Sequence, residues 1–129
     1  MALQWGDIQF GTDESGRGRF IEVRRNYVYG RFTSPKSGRS RRIDMSRELR
    51  RALLELRDAR LLEAFSVGKL SVAGDFVFPS KTGGVLHPDN MIRDRFLPTL
   101  QRAGIRAIRF HDLRHTFGAM LIAAGAPLN

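Results

Sequence analysis

The sequence predicts an α+β fold, a small three-stranded antiparallel sheet packed beside helices, and three observations carry that expectation. Short runs of alternating, β-branched and aromatic residues crowd the first third of the chain. Apolar residues then recur at helical spacing in three later stretches. Turn signals rich in Gly, Pro and Ser separate these runs, with no repeat, low-complexity tract or linker, so residues 1–129 read as one piece of one domain. With 129 residues, 42% hydrophobic content and nine Phe, there is enough apolar material for a single modest core.

The elements follow in order. Residues 3–10 alternate around Leu3, Trp5, Ile8 and Phe10 and read as an edge strand, followed by a turn-rich loop over 11–18. Residues 20–23 and 27–32 are the next strands. The Ser34-Pro35-Lys36-Ser37-Gly38 run carries tight-turn residues, and residues 39–45 return as another strand, which puts Lys36 at a hairpin tip. Ser46 is the expected N-cap of a long amphipathic helix to about Phe65, with Leu49, Ala52, Leu53, Leu56 and Ala59 on one stripe and a break over 68–74. Residues 75–80 read as a short apolar strand or extended segment and 81–84 as a turn. Pro88 opens a second helix ending near Gly104, which Pro98 is expected to kink or end early. The last helix runs from His111 or Asp112 to about Ala124, with Gly125 as its stop and Leu113, Phe117, Met120, Leu121 and Ala124 as its buried stripe.

Charge narrows the partner class. Twenty-two basic against 13 acidic residues give a net charge of +9 and a sequence pI near 11.3, which points to nucleic acid, although a generic basic protein has the same balance. Only Lys36, Lys69 and Lys81 are lysines; the other 19 basic residues are arginines, whose planar fork can hold two phosphate oxygens at once. Without cysteine, disulfides, thiolate catalysis and Cys-ligated zinc are excluded. No run approaches the roughly 20 apolar residues of a membrane span, and the opening MALQWGDIQF lacks the regions of a signal peptide, so no membrane partner and a cytoplasmic location are expected.

The candidate chemistry lies on the last helix. At about 100° per residue, His111, Arg114, His115 and Gly118 fall on one side, away from the apolar stripe. A guanidinium and two imidazoles form a cationic cup suited to a phosphodiester: arginine stabilises charge on the non-bridging oxygens and histidine moves a proton. Gly118 leaves room for a large ligand, and Lys36 offers a second proton donor. Other readings fit the same residues. His111 and His115 at i and i+4, joined by His87, could serve a metal-dependent nuclease, but the HExxH glutamate is missing and no carboxylate pair is near in sequence, so no metal is expected. The Arg-His pair could be a solvated helix face, and Lys36 a plain turn residue.

The run FHDLRHTFGAMLIAAGAPL, residues 110–128, resembles the second conserved box of tyrosine recombinases, the phage integrase family. Three other stretches are similar to that family in the same order: LQWGDI after its first arginine box, SPKSGRSRRIDMS as the hairpin bearing its catalytic lysine, and VFPSKTGG before its second-box helices. The resemblance implies an enzyme core that breaks and rejoins double-stranded DNA through a 3′-phosphotyrosyl intermediate, with no cofactor. It assigns Arg114 to clamping the scissile phosphate, His111 to general base and phosphate ligand, and Lys36 to protonating the leaving 5′-hydroxyl. His115 takes a supporting place, and Arg39, Arg41 and Arg42 beside the lysine are candidate DNA contacts. The family's first arginine box, third box and nucleophilic tyrosine have no counterpart here. Tyr27 and Tyr29 lie upstream of the lysine hairpin, in a predicted strand. The expected product is therefore a catalytically incomplete part of a recombinase that binds DNA, or else a non-enzymatic DNA-binding or regulatory remnant. Apolar surface left uncovered in such a part predicts self-association or pairing with other recombinase protomers.

Overall fold

The computed structural model describes residues 2–12, 18–28, 30–33 and 40–126, in two units, Met1–Leu86 and His87–Asn129. In the first unit the alternating opening is not a plain strand. Trp5–Asp7 makes one 3-10 turn and only Ile8–Phe10 (β1) is extended. Asp7 is the cause. Its carboxylate accepts the Gln4 N–H at 3.0 Å and so closes the turn. Buried at 3% exposure, it also accepts from Arg25 at 2.8 Å, with Arg24 3.9 Å away. The turn delivers Trp5 and Ile8 to a core shared with Met45, Leu53, Ala64, Val72 and Val77. Backbone bonds stitch this opening to the segment before Val77: Trp5 N–H to the Asp75 carbonyl (3.1 Å), Gly6 N–H to Ala73 (2.8 Å) and Val77 N–H to Leu3 (2.9 Å). A Cβ at Gly6 would stand 3.1 Å from the Ala73 carbonyl oxygen, so glycine permits this close approach.

The three-stranded antiparallel sheet is present in the order β1, β2 (Arg19–Val23), β5 (Arg41–Asp44), with Ile21 opposite Ile8 on one side and Ile43 on the other. Its membership differs from the sequence expectation. Residues 27–32, read as one strand, fold back as β3 (Asn26–Val28) and β4 (Arg31–Thr33), a separate two-stranded sheet. Gly30 at φ 78° supplies the reversal that alternation alone does not reveal. Tyr27 and Phe32 face each other across this pair with ring centroids 5.1 Å apart. The described strands on either side of Lys36 are therefore not partners of each other, since β4 pairs with β3 and β5 with β2. Lys36 and Arg39, in residues 34–39, lie outside the described residues.

Helix α1 (Arg47–Ser66) starts where the cap was expected, the Ser46 hydroxyl accepting the Leu49 N–H at 3.1 Å, and stops before Gly68 at φ 78°. Of the expected stripe, Leu53 is buried and Leu56 half-buried, while Leu49, Ala52 and Ala59 are exposed. Arginines join α1 to the sheet. Arg50 Nε donates to the Phe10 carbonyl at 2.7 Å, and the Arg57 guanidinium lies 4.8 Å from the Phe10 ring centre, a contact of about 0.5–1 kcal/mol. Residues 75–80 contribute only isolated bridges, Gln4 with Phe76 and Pro79 with Val85.

In the second unit, His87 caps α2 (Pro88–Met91), its Nδ1 accepting the Asp89 N–H at 3.3 Å with Pro88 in the first turn. The helix neither ends nor breaks at Pro98. It widens into a π turn (Ile92–Phe96), where the Leu97 N–H reaches back to the Ile92 carbonyl, and continues as α3 (Leu97–Arg102). The wider turn relieves the clash between a proline ring and the carbonyl four residues back, and the Thr99 hydroxyl donates to the Arg95 carbonyl at 2.7 Å. Phe96 then meets Phe110 edge-on at 5.2 Å, just ahead of α4 (Asp112–Ala123). Gly125 at φ 79° ends α4, with the Ala126 N–H on the Leu121 carbonyl at 3.0 Å. The stripe expected to be buried is exposed: Phe117 is 58% and Met120 66% accessible, and Leu113 and Leu121 are exposed too. Periodicity shows which face of a helix is apolar, not whether anything covers it. Among the described residues no helix is long and apolar enough to cross a membrane.

The Asp7 arrangement generates a test of the fold. Asp7→Ala should lower unfolding stability by about 3 kcal/mol, because it strands Arg25 and the Gln4 N–H together. Denaturant unfolding followed by Trp5 fluorescence measures it, and a loss under about 1 kcal/mol would show that Asp7 does not organise the turn.

Candidate functional site

The start of α4 is built by one reciprocal turn. The Asp112 N–H donates to the Arg109 carbonyl at 3.0 Å, while Asp112 Oδ2 accepts the Arg109 N–H at 2.9 Å and Oδ1 accepts its guanidinium at 3.0 Å. The next bonds, Leu113 N–H to Phe110 and Arg114 N–H to His111, continue the same winding. His111 thereby takes helical angles (φ −62°, ψ −27°) although it precedes the helix, and its side chain makes no capping bond. It is left to face outward.

Helical spacing then sets the geometry. The His111 and His115 rings meet edge-on, centroids 4.8 Å apart. Arg114, exposed like both histidines, has no carboxylate partner among the described residues. The Thr116 hydroxyl is turned back to the Asp112 carbonyl at 3.0 Å and takes no part in the cup. At Gly118 an added Cβ would meet nothing within 4 Å, so the chain's own packing does not require glycine there. Two imidazoles and a free guanidinium on one exposed helical turn can bind an anion and exchange a proton with it.

Of the remaining sequence-derived candidates, Arg41 and Arg42 sit on β5, an outer strand of the three-stranded sheet, both exposed. Arg42 already lies 4.3 Å from the Phe20 ring centre and opposite Glu22. The Glu22 carboxyl is held below its ordinary value, first by its hydrogen bond from Arg24 and then by Ser40. His87 is engaged as a helix cap. No group of three or more His, Asp or Glu that could hold a metal occurs among the described residues. The residue that sequence reasoning missed is Asp112. Its signal was present as an acidic residue three positions after Arg109 at a helix start, the spacing of a capping box.

The profile of the phage integrase family matches residues 2–129, and the chain belongs to that family. It is 27% identical over 139 residues to a tyrosine recombinase XerC-like protein of Caldanaerobacter subterraneus subsp. tengcongensis, covering 99% of this chain and 35% of that protein. It is 57% identical over 30 residues to the integrase of Salmonella phage P22, covering 23% of this chain and 8% of that protein. No solved structure matches. The α+β architecture and both relatives make this chain a part of a tyrosine recombinase catalytic domain, spanning about a third of the XerC-like relative's length.

The Asp112 turn carries a pH signature. The Asp112 carboxyl is held below its ordinary value of 3.8, first by the hydrogen bond from the Arg109 guanidinium, then by the Arg109 N–H and the nearby positive charges of Arg109 and His115. A depressed folded value means that the contribution is complete above the ordinary value and is lost as pH falls through the folded one. Circular dichroism should therefore show α4 helicity falling below about pH 4, and less of that fall in Asp112→Asn. Identical acid profiles for both proteins would remove Asp112 from this role.

Proposed function

We propose that this chain supplies part of a DNA strand-transfer site and binds double-stranded DNA through the first turn of α4. One observation carries the reading: within a chain of this family, the His-x-Leu-Arg-His run lies at a helix start, with Arg114 lacking a carboxylate partner among the described residues and the His111 and His115 ring centroids 4.8 Å apart. In this site Arg114 holds the non-bridging oxygens of the scissile phosphate, and His111 binds the same phosphate and accepts the proton of an attacking tyrosine. For Lys36, which lies outside the described residues, the family resemblance supports the role of giving a proton to the departing 5′-oxygen as the phosphorus–oxygen bond breaks. His115 supports the His111 ring edge-on. The product is a 3′-phosphotyrosyl ester, which conserves the bond energy for rejoining without a cofactor.

The attacking tyrosine and the first-box arginine of the family pattern are not among these 129 residues. Tyr27 is in β3 against Phe32. The chain on its own is therefore a DNA binder without strand transfer. Groups that act as a unit lose far more than a sum of small effects when several are removed. The exposed apolar face of α4 supports association with other protomers. A cytoplasmic location, with access to DNA, accompanies the reading.

Titrating a duplex of about 20 base pairs at several salt concentrations tests it. Affinity should fall steeply with salt, because each neutralised phosphate releases counterions, and Arg114→Ala should weaken binding about tenfold, the loss of one charge-assisted contact of roughly 1.4 kcal/mol. Salt-independent affinity, or full affinity in Arg114→Ala, contradicts the proposal. Sedimentation of the free chain as a monomer at every concentration contradicts the association.

A further inference from the structure

Arg109 is two residues ahead of His111, on the segment that winds into α4, and its side chain is 79% exposed. Asp112 grips it at both the guanidinium and the backbone N–H, at 3.0 and 2.9 Å. Among the described residues one guanidinium donor is engaged, so most of the five-donor fork stays available to a second anion. An exposed pair of this kind adds little stability, which leaves orientation as its main consequence. A guanidinium already held in place loses less freedom on gripping a phosphate than a mobile one.

The residue type points the same way. Position 109 stands where the capping residue of a reciprocal turn belongs, three before an acidic side chain that accepts its N–H. Ser, Thr, Asp and Asn cap such turns best, because their side chains also accept a backbone N–H. Arginine has no acceptor. Its side chain caps no backbone N–H; it donates to Asp112 instead and places a positive charge beside the His111 and Arg114 turn.

We propose that Arg109, positioned by Asp112, is a further phosphate-binding residue at the start of α4 and contacts a DNA backbone phosphate next to the one held by Arg114. This rests on the DNA-binding reading above. Arg109 is a positioning contact for the duplex and takes no part in proton transfer. Its phosphate contact fixes register and is indifferent to base sequence.

Arg109→Thr separates charge from folding, since the threonine hydroxyl can cap the turn while the charge is lost. With a duplex of about 20 base pairs, binding at low salt should weaken roughly three- to tenfold, and the slope of log affinity against log salt should become shallower by about one. Helicity by circular dichroism should be retained. Should threonine lose helix, Arg109→Gln, which removes the charge and keeps a shorter N–H donor, gives the same comparison. Salt-dependent binding by the parent chain with an unchanged slope in the folded variant overturns the Arg109 assignment alone. No salt-dependent binding by the parent overturns the DNA reading and this inference with it.

Discussion

A single buried carboxylate, Asp7, sets the frame of the first unit. It bends the opening of the chain into a 3-10 turn through the Gln4 N–H, and in the same place it anchors Arg25 in the link between β2 and β3. A buried carboxylate without such partners would be strongly unfavourable, so the turn, the link and the charge pair form together or not at all. Trp5 follows from that bend. With it come the backbone bonds to Ala73 and Asp75, which hold the chain beneath the C-terminal half of α1.

Beyond Asp7, an arginine-rich chain must fold without leaving its charges opposed. The structure does so by using arginines as donors and as flat faces. Arg19 donates to the Met45 carbonyl and Arg50 to that of Phe10, while Arg42 and Arg57 lie over the rings of Phe20 and Phe10. Such contacts pack the arginine stems against the chain, and they take Arg19 Nη1 and Arg57 Nε out of solvent as well. In the second unit the balance differs. Asp112 holds Arg109, but Arg114 has no carboxylate partner among the described residues, beside two exposed imidazoles. There positive charge remains available to a partner instead of being neutralised by the chain.

Much of this was legible beforehand, for identifiable reasons. Helix limits were readable because Ser46, Pro88, Gly104 and Gly125 act locally: a cap or a positive φ needs only its neighbours. The His111, Arg114 and His115 face was readable because it follows from helical period alone. What could not be read depends on distant partners or on a choice between equal patterns. The Tyr27 and Phe32 run is alternating whether it stays extended or turns at Gly30, and strand pairing is not a local property. The apolar stripe of α4 is real as a pattern, yet Phe117 and Met120 are exposed, because burial needs a second surface. Asp112 gives no periodic signal, because a reciprocal turn ahead of a helix is a single local spacing.

The first turn of α4 is the phosphate-binding surface proposed for this chain. Nuclear magnetic resonance of the isotope-labelled chain, with a short duplex added stepwise, tests it most directly. Backbone and arginine side-chain signals of residues 109–115 should shift in proportion to bound DNA, and those on the apolar face around Phe117 and Met120 far less. Shifts confined to the arginines of α1, with 109–115 unmoved at saturation, would contradict it.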